Sequence, residues 1–325
     1  MSRQNELSSE DARENTHLPQ YSPPATGVLS VIPSAWAPYG ELARIHRPNG
    51  FLLVYFPHLF GTIYSLCLHA EHDPLELIRK NAILLVGSIF SRSSICAWND
   101  IIDREYDRQV PRCCQRPIAR GAIRPAQGLL FTVFLTVPAL ACLYGLPRIC
   151  WIISIPDMFL MALYPFAKRF MDFPQVILGI QLAMGFLMGK GAMNAGLSLS
   201  DVPFYFANVC WTIIYDTVYA QLDVEDDAKA GVRSMAVLFR GRTKSMLCAV
   251  SFAKVALLFV SGYLQDFGRG YAALTGGGTL ASLSYMLLTI DLSKPSDCLW
   301  WFQNGFWFIG LSVSAGLGLE YLGWR

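Results

Sequence analysis

Carboxylates crowd two short stretches of the chain, NDIIDREYDRQV (99–110) and YDTVYAQLDVEDD (215–227), each directly after an apolar run. In the first, Asp100, Asp103 and Asp107 are spaced three and four residues apart and share one helical face, which Asn99 joins. Glu105 points elsewhere. In the second, Asp223 and Asp227 are four apart, Asp216 lies seven before Asp223, and Glu225 again points away. Like charges this close repel, so something cationic must offset them. Hard oxygen donors in this number suit Mg²⁺, which takes one or two carboxylates and completes its shell with water and substrate phosphates. Ions held between two such faces, by Asn99, Asp100, Asp103, Asp107, Asp216, Asp223 and Asp227, would clamp a diphosphate. Arg47, Arg92, Arg116, Arg120, Lys168, Arg169, Lys229 and Arg233 are the basic residues suited to bind its oxygens, arginine in bidentate fashion. Either cluster alone is matched as well by a solvated loop with internal salt bridges; the two together are far more specific.

The elements that would position these acids are membrane helices. The chain is 53% hydrophobic and 15% charged, with a mean hydropathy of +0.36. Soluble domains carry about 25% charged residues. A membrane-spanning helix needs roughly 20 apolar residues. Runs of that kind occur at about 49–69, 81–98, 126–146, 149–166, 174–194, 203–221, 245–264, 271–290 and 299–319, and no strand-type alternation is long enough to compete. The expected fold is all-α, a polytopic bundle of about nine transmembrane helices with a polar cap over a central cavity. Both acidic loops then fall on one face, together with thirteen basic loop residues against six on the other. The positive-inside rule puts that face in the cytosol.

Residues 1–46 are polar and proline-bearing, and two arginines against four acids up to residue 40 do not resemble a basic, acid-poor mitochondrial transit peptide. They read as a disordered leader before a transmembrane domain at 47–325. A net charge of +2 gives no nucleic-acid footprint. The nine cysteines include no C-x-x-C pair and read as buried small hydrophobes; Cys113–Cys114 has no assignable role. His69 and His72 lack a second ligand pair for zinc. Lys190 interrupts an apolar stretch, either snorkelling to the far interface or meeting an acidic substrate.

In this order along the chain, RIHRPNGFLLVYFP, NDIIDREYDRQVPRCCQRPIARGAI, YPFAKRFMDFPQ and YDTVYAQLDVEDDAKAGVRSMAVLF resemble the motifs of the UbiA superfamily of intramembrane aromatic prenyltransferases. The wording is most like that of fungal meroterpenoid-pathway farnesyltransferases. The resemblance covers about residues 42–319 and implies Mg²⁺-dependent transfer of a prenyl group from an isoprenoid diphosphate to a phenolic acid; with a leader unlike a transit peptide, the expected location is an endomembrane such as the endoplasmic reticulum. Arg233 stands where many relatives carry lysine. On this reading Asp103, Asp107, Asp223, Asp227 and Tyr219 are catalytic, and the aromatics Tyr164, Tyr215 and Tyr219 are placed to shelter an allylic cation by their π-faces. Two other functions compete. One is the ubiquinone-type 4-hydroxybenzoate polyprenyltransferase. The other is a divalent-cation or solute transporter, because intramembrane acids mark ion pathways; here the acids leave the midplane nearly bare.

Overall fold

The computed structural model describes residues 21–68 and 73–323. The His69–His72 pair lies outside the described residues, as does the first part of the leader. Every regular element among the described residues is helical.

A short helix α1 (Ala37–Leu42) precedes α2 (Asn49–Leu68) and the long α3 (Pro74–Ile102). A single turn α4 (Arg104–Asp107) extends α3 past Asp103. Then come α5 (Pro125–Cys142), α6 (Arg148–Ala167), α7 (Pro174–Ala192) and α8 (Val202–Ala220). The short cap helices α9 (Val224–Ala230) and α10 (Met235–Leu238) lead into α11 (Thr243–Leu264). Proline recurs at helix starts: Pro74, Pro125 and Pro174 each open a helix at a position whose N–H has no intrahelical partner. Asp73 completes the start of α3 by accepting from the Leu75 N–H at 3.0 Å.

Among the described residues six helices, α2, α3, α5 (continued to Gly145), α6, α7 and α11, are long and apolar enough to cross a membrane. The last two expected spans are not single α-helices. The eighth is α12 (Arg269–Tyr271), a π-helical Ala272–Gly278 and α13 (Thr279–Thr289); the ninth is α14 (Pro295–Trp300), a π-helical Trp301–Gly305 and α15 (Phe306–Tyr321). The first π segment lies where small residues let helices touch. A Cβ on Gly316 would run into Thr275, and one on Gly278 would lie 2.7 Å from the Ser312 hydroxyl. The same logic applies where α2 crosses α7: a Cβ on Gly61 would meet the Phe186 carbonyl, and one on Gly189 the His58 carbonyl. Behind the future site, Phe56, Phe60, Tyr64, Phe186, Phe204 and Trp211 lock α2, α7 and α8 through mutual ring contacts, such as Phe186–Phe204 at 4.7 Å.

Packing begins upstream of the boundary expected at residue 46. Leu42 is fully buried against Ala97, Ile118 and Ile123, and Ser93 donates to the Ala43 carbonyl at 3.0 Å. Residues 37–46 therefore form part of the cap.

Lys190 neither snorkels nor reaches the cavity described below. It is buried, with its ammonium 2.6 Å from Asp201 and 5.2 Å from the centre of the Tyr64 ring. Asp201 is held in turn by the Ser198 N–H at 2.8 Å. Removing one partner of such a pair strands a buried charge, whereas replacing both with apolar groups does not. Asp201→Ala should cost about 3–5 kcal/mol, and Lys190→Met with Asp201→Leu should recover most of it. Thermal unfolding of the detergent-solubilised variants measures both.

Candidate functional site

Both acidic stretches close one space. The ends of α3 and α8 open into a cavity of about 490 Å³, and all of Asn99, Asp100, Asp103, Asp107, Asp216, Asp223 and Asp227 line it. Asp103 ends α3 and starts α4; its N–H bonds the Asn99 carbonyl and its carbonyl receives the Asp107 N–H, both at 2.8 Å. The helical register thus survives the junction, and Asp100, Asp103 and Asp107 are all buried on the cavity side. Glu105 is exposed and pairs with Arg104 and Arg108. On the other stretch, a turn at Gln221–Asp223 joins α8 to α9 and buries Asp223, while exposed Glu225 pairs with Arg240.

Each of four acids is drawn to a cation. Asp100 takes Arg44 through both oxygens at 2.8 Å, and Arg116 at 3.3 Å. Asp107 takes Arg116 at 2.9 Å, and Asp103 takes Lys168 at 3.1 Å. Asp223 takes Arg112, whose Nε lies 2.8 and 2.9 Å from its two oxygens. Burial alone would lower the Lys168 ammonium and the Arg116 guanidinium; the acids beside them more than offset it and hold both above their ordinary values. The acids fare worse. Burial, only partly countered by Arg116 and joined by repulsion from Asp100 and Asp103, pushes Asp107 up to about 6. Burial and then Asp223 push Asp227 up to about 7. The cavity is short of positive charge next to its acids.

Elsewhere it is rich in it. Arg47 and Arg92 line the cavity, and among the described residues neither has an acidic partner within ion-pair distance. Arg47 keeps an exposed surface, yet desolvation by the protein around it, and then Arg44, Arg112 and Arg116, lower it from its ordinary value. His46 is lowered to about 4 by burial and then by Arg47 and Arg44. Arg92 stands 5.1 Å over the Phe51 ring, its Nη1 buried without a partner, and a Cβ on Gly50 would collide with its guanidinium.

Arg169 and Arg233 also line the cavity, but they are partly engaged. Arg169 donates to the Ile102 carbonyl at 2.7 Å, capping α3, and Arg233 sits at the rim 3.9 Å from Asp172. Two expected phosphate ligands do not reach the cavity. Arg120 pairs with Glu41 at 2.7 Å and stacks on Tyr21 at 3.7 Å, tying the cap together. Lys229 is exposed on α9 and lies 3.8 Å from Asp226. Sequence reasoning missed Arg44 and Arg112. The arginines at 104, 108, 112, 116, 120 and 124 recur every fourth residue and look like one helical stripe. Pro111 and Pro117 forbid that helix, so the turns between α4 and α5 send Arg112 to Asp223, Arg116 to Asp100 and Asp107, and Arg120 to Glu41.

Tyr219 has a different surrounding from the one expected of an open cation shelter. Its hydroxyl accepts from Arg112 at 2.7 Å, Arg112 stands 4.8 Å over its ring, and Phe302 packs at 4.2 Å. Phe302 and Gln303 reach the cavity from the π-helical Trp301–Gly305.

The donors suit a hard divalent cation. They are carboxylates and one amide, and the Asn99 Oδ1 is buried without a hydrogen-bond partner, as a metal-ligand oxygen would be before loading. Among the described residues no three acids, histidines or cysteines converge on a point; Arg44, Arg112, Arg116 and Lys168 occupy four of the carboxylates.

Known proteins share this arrangement of helices. The pattern of the UbiA prenyltransferase family matches residues 54–310. The prenyltransferase stbC of Stachybotrys bisbyi is 36% identical over 308 residues, 91% of either chain. The DMOA farnesyltransferase nvfB of Aspergillus novofumigatus is 33% identical over 297 residues, 88% of this chain and 93% of its own. A solved UbiA homologue from Archaeoglobus fulgidus, bound to GPP and Mg²⁺, shares the fold with a TM-score of 0.62 at 17% identity, covering 84% of this chain and 99% of its own. With a family match over most of its length and helices built to cross a bilayer, the chain belongs to the UbiA prenyltransferase family and is a multi-pass membrane prenyltransferase.

Proposed function

We propose that the enzyme transfers a prenyl group, farnesyl foremost, from its diphosphate to a ring carbon of a polyketide-derived aromatic acid in meroterpenoid biosynthesis. The observation that carries this reading is the meeting of both acidic stretches and two acid-free arginines in one cavity. The farnesyltransferase nvfB supports the donor, and the likeness to fungal relatives supports the class of acceptor. The protein sits in an endomembrane with this cavity on the cytosolic side, in keeping with the basic loops.

Asn99, Asp100, Asp103, Asp107, Asp216, Asp223 and Asp227 would hold Mg²⁺, whose charge would offset that developing on the departing diphosphate. The protein's own residues do the rest. On donor binding, Arg112, Arg116 and Lys168 exchange their carboxylates for phosphate oxygens, joined by Arg47, Arg92 and Arg169 at the walls and Arg233 at the rim. Tyr219 keeps Arg112 aimed. The carbon–oxygen bond breaks with its electron pair leaving on the diphosphate. The allylic cation is sheltered by the rings of Tyr164 and Tyr215 until the acceptor ring attacks and loses a proton.

Microsomes carrying the chain, given farnesyl diphosphate and a panel of aromatic acids that includes 4-hydroxybenzoate and alkylresorcylic acids, should yield a carbon-prenylated product by mass spectrometry. EDTA should abolish it and Mg²⁺ restore it. Exclusive use of 4-hydroxybenzoate would favour the ubiquinone-type reaction, and no product from any pair would favour transport. Arg112→Ala should lower kcat by about a hundredfold or more, the scale for losing one donor to a developing oxyanion. Tyr219→Phe, which keeps the ring but not the hydroxyl, should fall between it and the native enzyme. Equal activity of Arg112→Ala and native protein would remove Arg112 from the site.

A further inference from the structure

Below the acid-lined cavity lies a second chamber of about 100 Å³. It is reached past three residues that line both spaces, Val54, Gln181 and Leu182. Its α3 wall runs from Ile83 to Ser94, about 8 to 24 Å below Asn99 along the helix axis. Its other walls are mainly aliphatic and sulfur-bearing, with Met158, Met161, Met184 and Met188 among them. Methionine surfaces adapt to flexible hydrocarbon.

The entrance is the anomaly. Gln181 on α7 is buried and lines both spaces, and its amide donates to Asp157 on α6 at 2.8 Å, so a hydrogen-bonded polar pair stands where the two spaces meet. A hydrogen-bonded amide in a low-dielectric setting resists displacement, because breaking the bond leaves two buried polar groups unsatisfied. Hydrocarbon descending from the diphosphate site meets this pair before it can enter the second chamber. One turn below Gln181, α7 packs closely on α2: a Cβ on Gly185 would lie 2.7 Å from the His58 ring.

We propose that Gln181, latched by Asp157, is the partition that sets how long a prenyl chain the enzyme accepts. With the latch closed, the donor's tail stays in the upper cavity. With it removed, the two chambers join and a longer isoprenoid fits. The inference rests on the prenyl-transfer reading above. Gln181 acts as a specificity residue; it lies among the hydrocarbon walls rather than with the phosphate ligands.

The test compares kcat/KM for geranyl, farnesyl and geranylgeranyl diphosphates with one fixed aromatic acid. Gln181→Ala should raise the geranylgeranyl-to-farnesyl ratio by roughly tenfold or more, the scale on which hydrophobic pockets discriminate by size. Adding Met184→Trp, which fills the lower chamber, should cancel that gain. Asp157→Ala frees the latch while leaving Gln181 in place and should shift the ratio the same way by less, so the proposal stays testable if Gln181→Ala fails to fold. An unchanged ratio in the folded Gln181→Ala or Asp157→Ala protein overturns the partition. A gain that persists with Met184→Trp overturns the role of the lower chamber. If the native enzyme transfers no donor at all, the prenyl-transfer reading itself falls, and the partition with it.

Discussion

Charge balance at the end of a membrane bundle governs this structure. Buried carboxylates cost several kcal/mol each unless a partner offsets them, and the chain buries Asp100, Asp103, Asp107 and Asp223 at one boundary. The partners come from every side of the cap: Arg44 from ahead of α2, Arg112 and Arg116 from the turns before α5, and Lys168 from the end of α6. These ion pairs join the apolar contacts of Leu42, Ala97, Ile118 and Ile123 in holding the cap. The pairs are charge-assisted and line the cavity, so in the proposed reaction they are the contacts to be traded for a diphosphate and its metal.

The apolar architecture serves that exchange. Aromatic packing among α2, α7 and α8 gives the acidic ends of α3 and α8 a stiff base. The glycine contacts between α2 and α7 bring backbones together where side chains would separate them. The π-helical turn at Trp301–Gly305 delivers Phe302 and Gln303 to the cavity. A transition state with large charge separation needs such a base, since donors that must reorganise during the reaction stabilise it less.

Much of this was legible in the sequence, and the reasons for the gaps are physical. Helical periodicity separated Asp100, Asp103 and Asp107 from Glu105, and Asp223 from Glu225, because acids three or four apart on a helix share a face whatever surrounds it. Nearness in sequence to the acids was a poor guide for the arginines: in the turns around Pro111 and Pro117, Arg112 binds Asp223 and was passed over, while Arg120 pairs with Glu41 instead of lining the cavity. Lys229 was placed by its nearness in sequence to Asp227, yet on α9 it faces solvent. Lys190 could not be read without Asp201, a partner eleven residues away across a turn. The π segments left no trace in hydropathy, which cannot distinguish an i→i+4 from an i→i+5 ladder.

The central claim is that the two acidic stretches form one metal–diphosphate site, and the coupling between them measures it most directly. Mg²⁺-dependent binding of farnesyl diphosphate to the solubilised protein would be followed for Asp103→Asn, Asp223→Asn and the double variant. A shared site predicts that either substitution removes most of the Mg²⁺-dependent affinity and that the second adds little. Fully additive losses, or donor binding as tight in EDTA as in Mg²⁺, would contradict it.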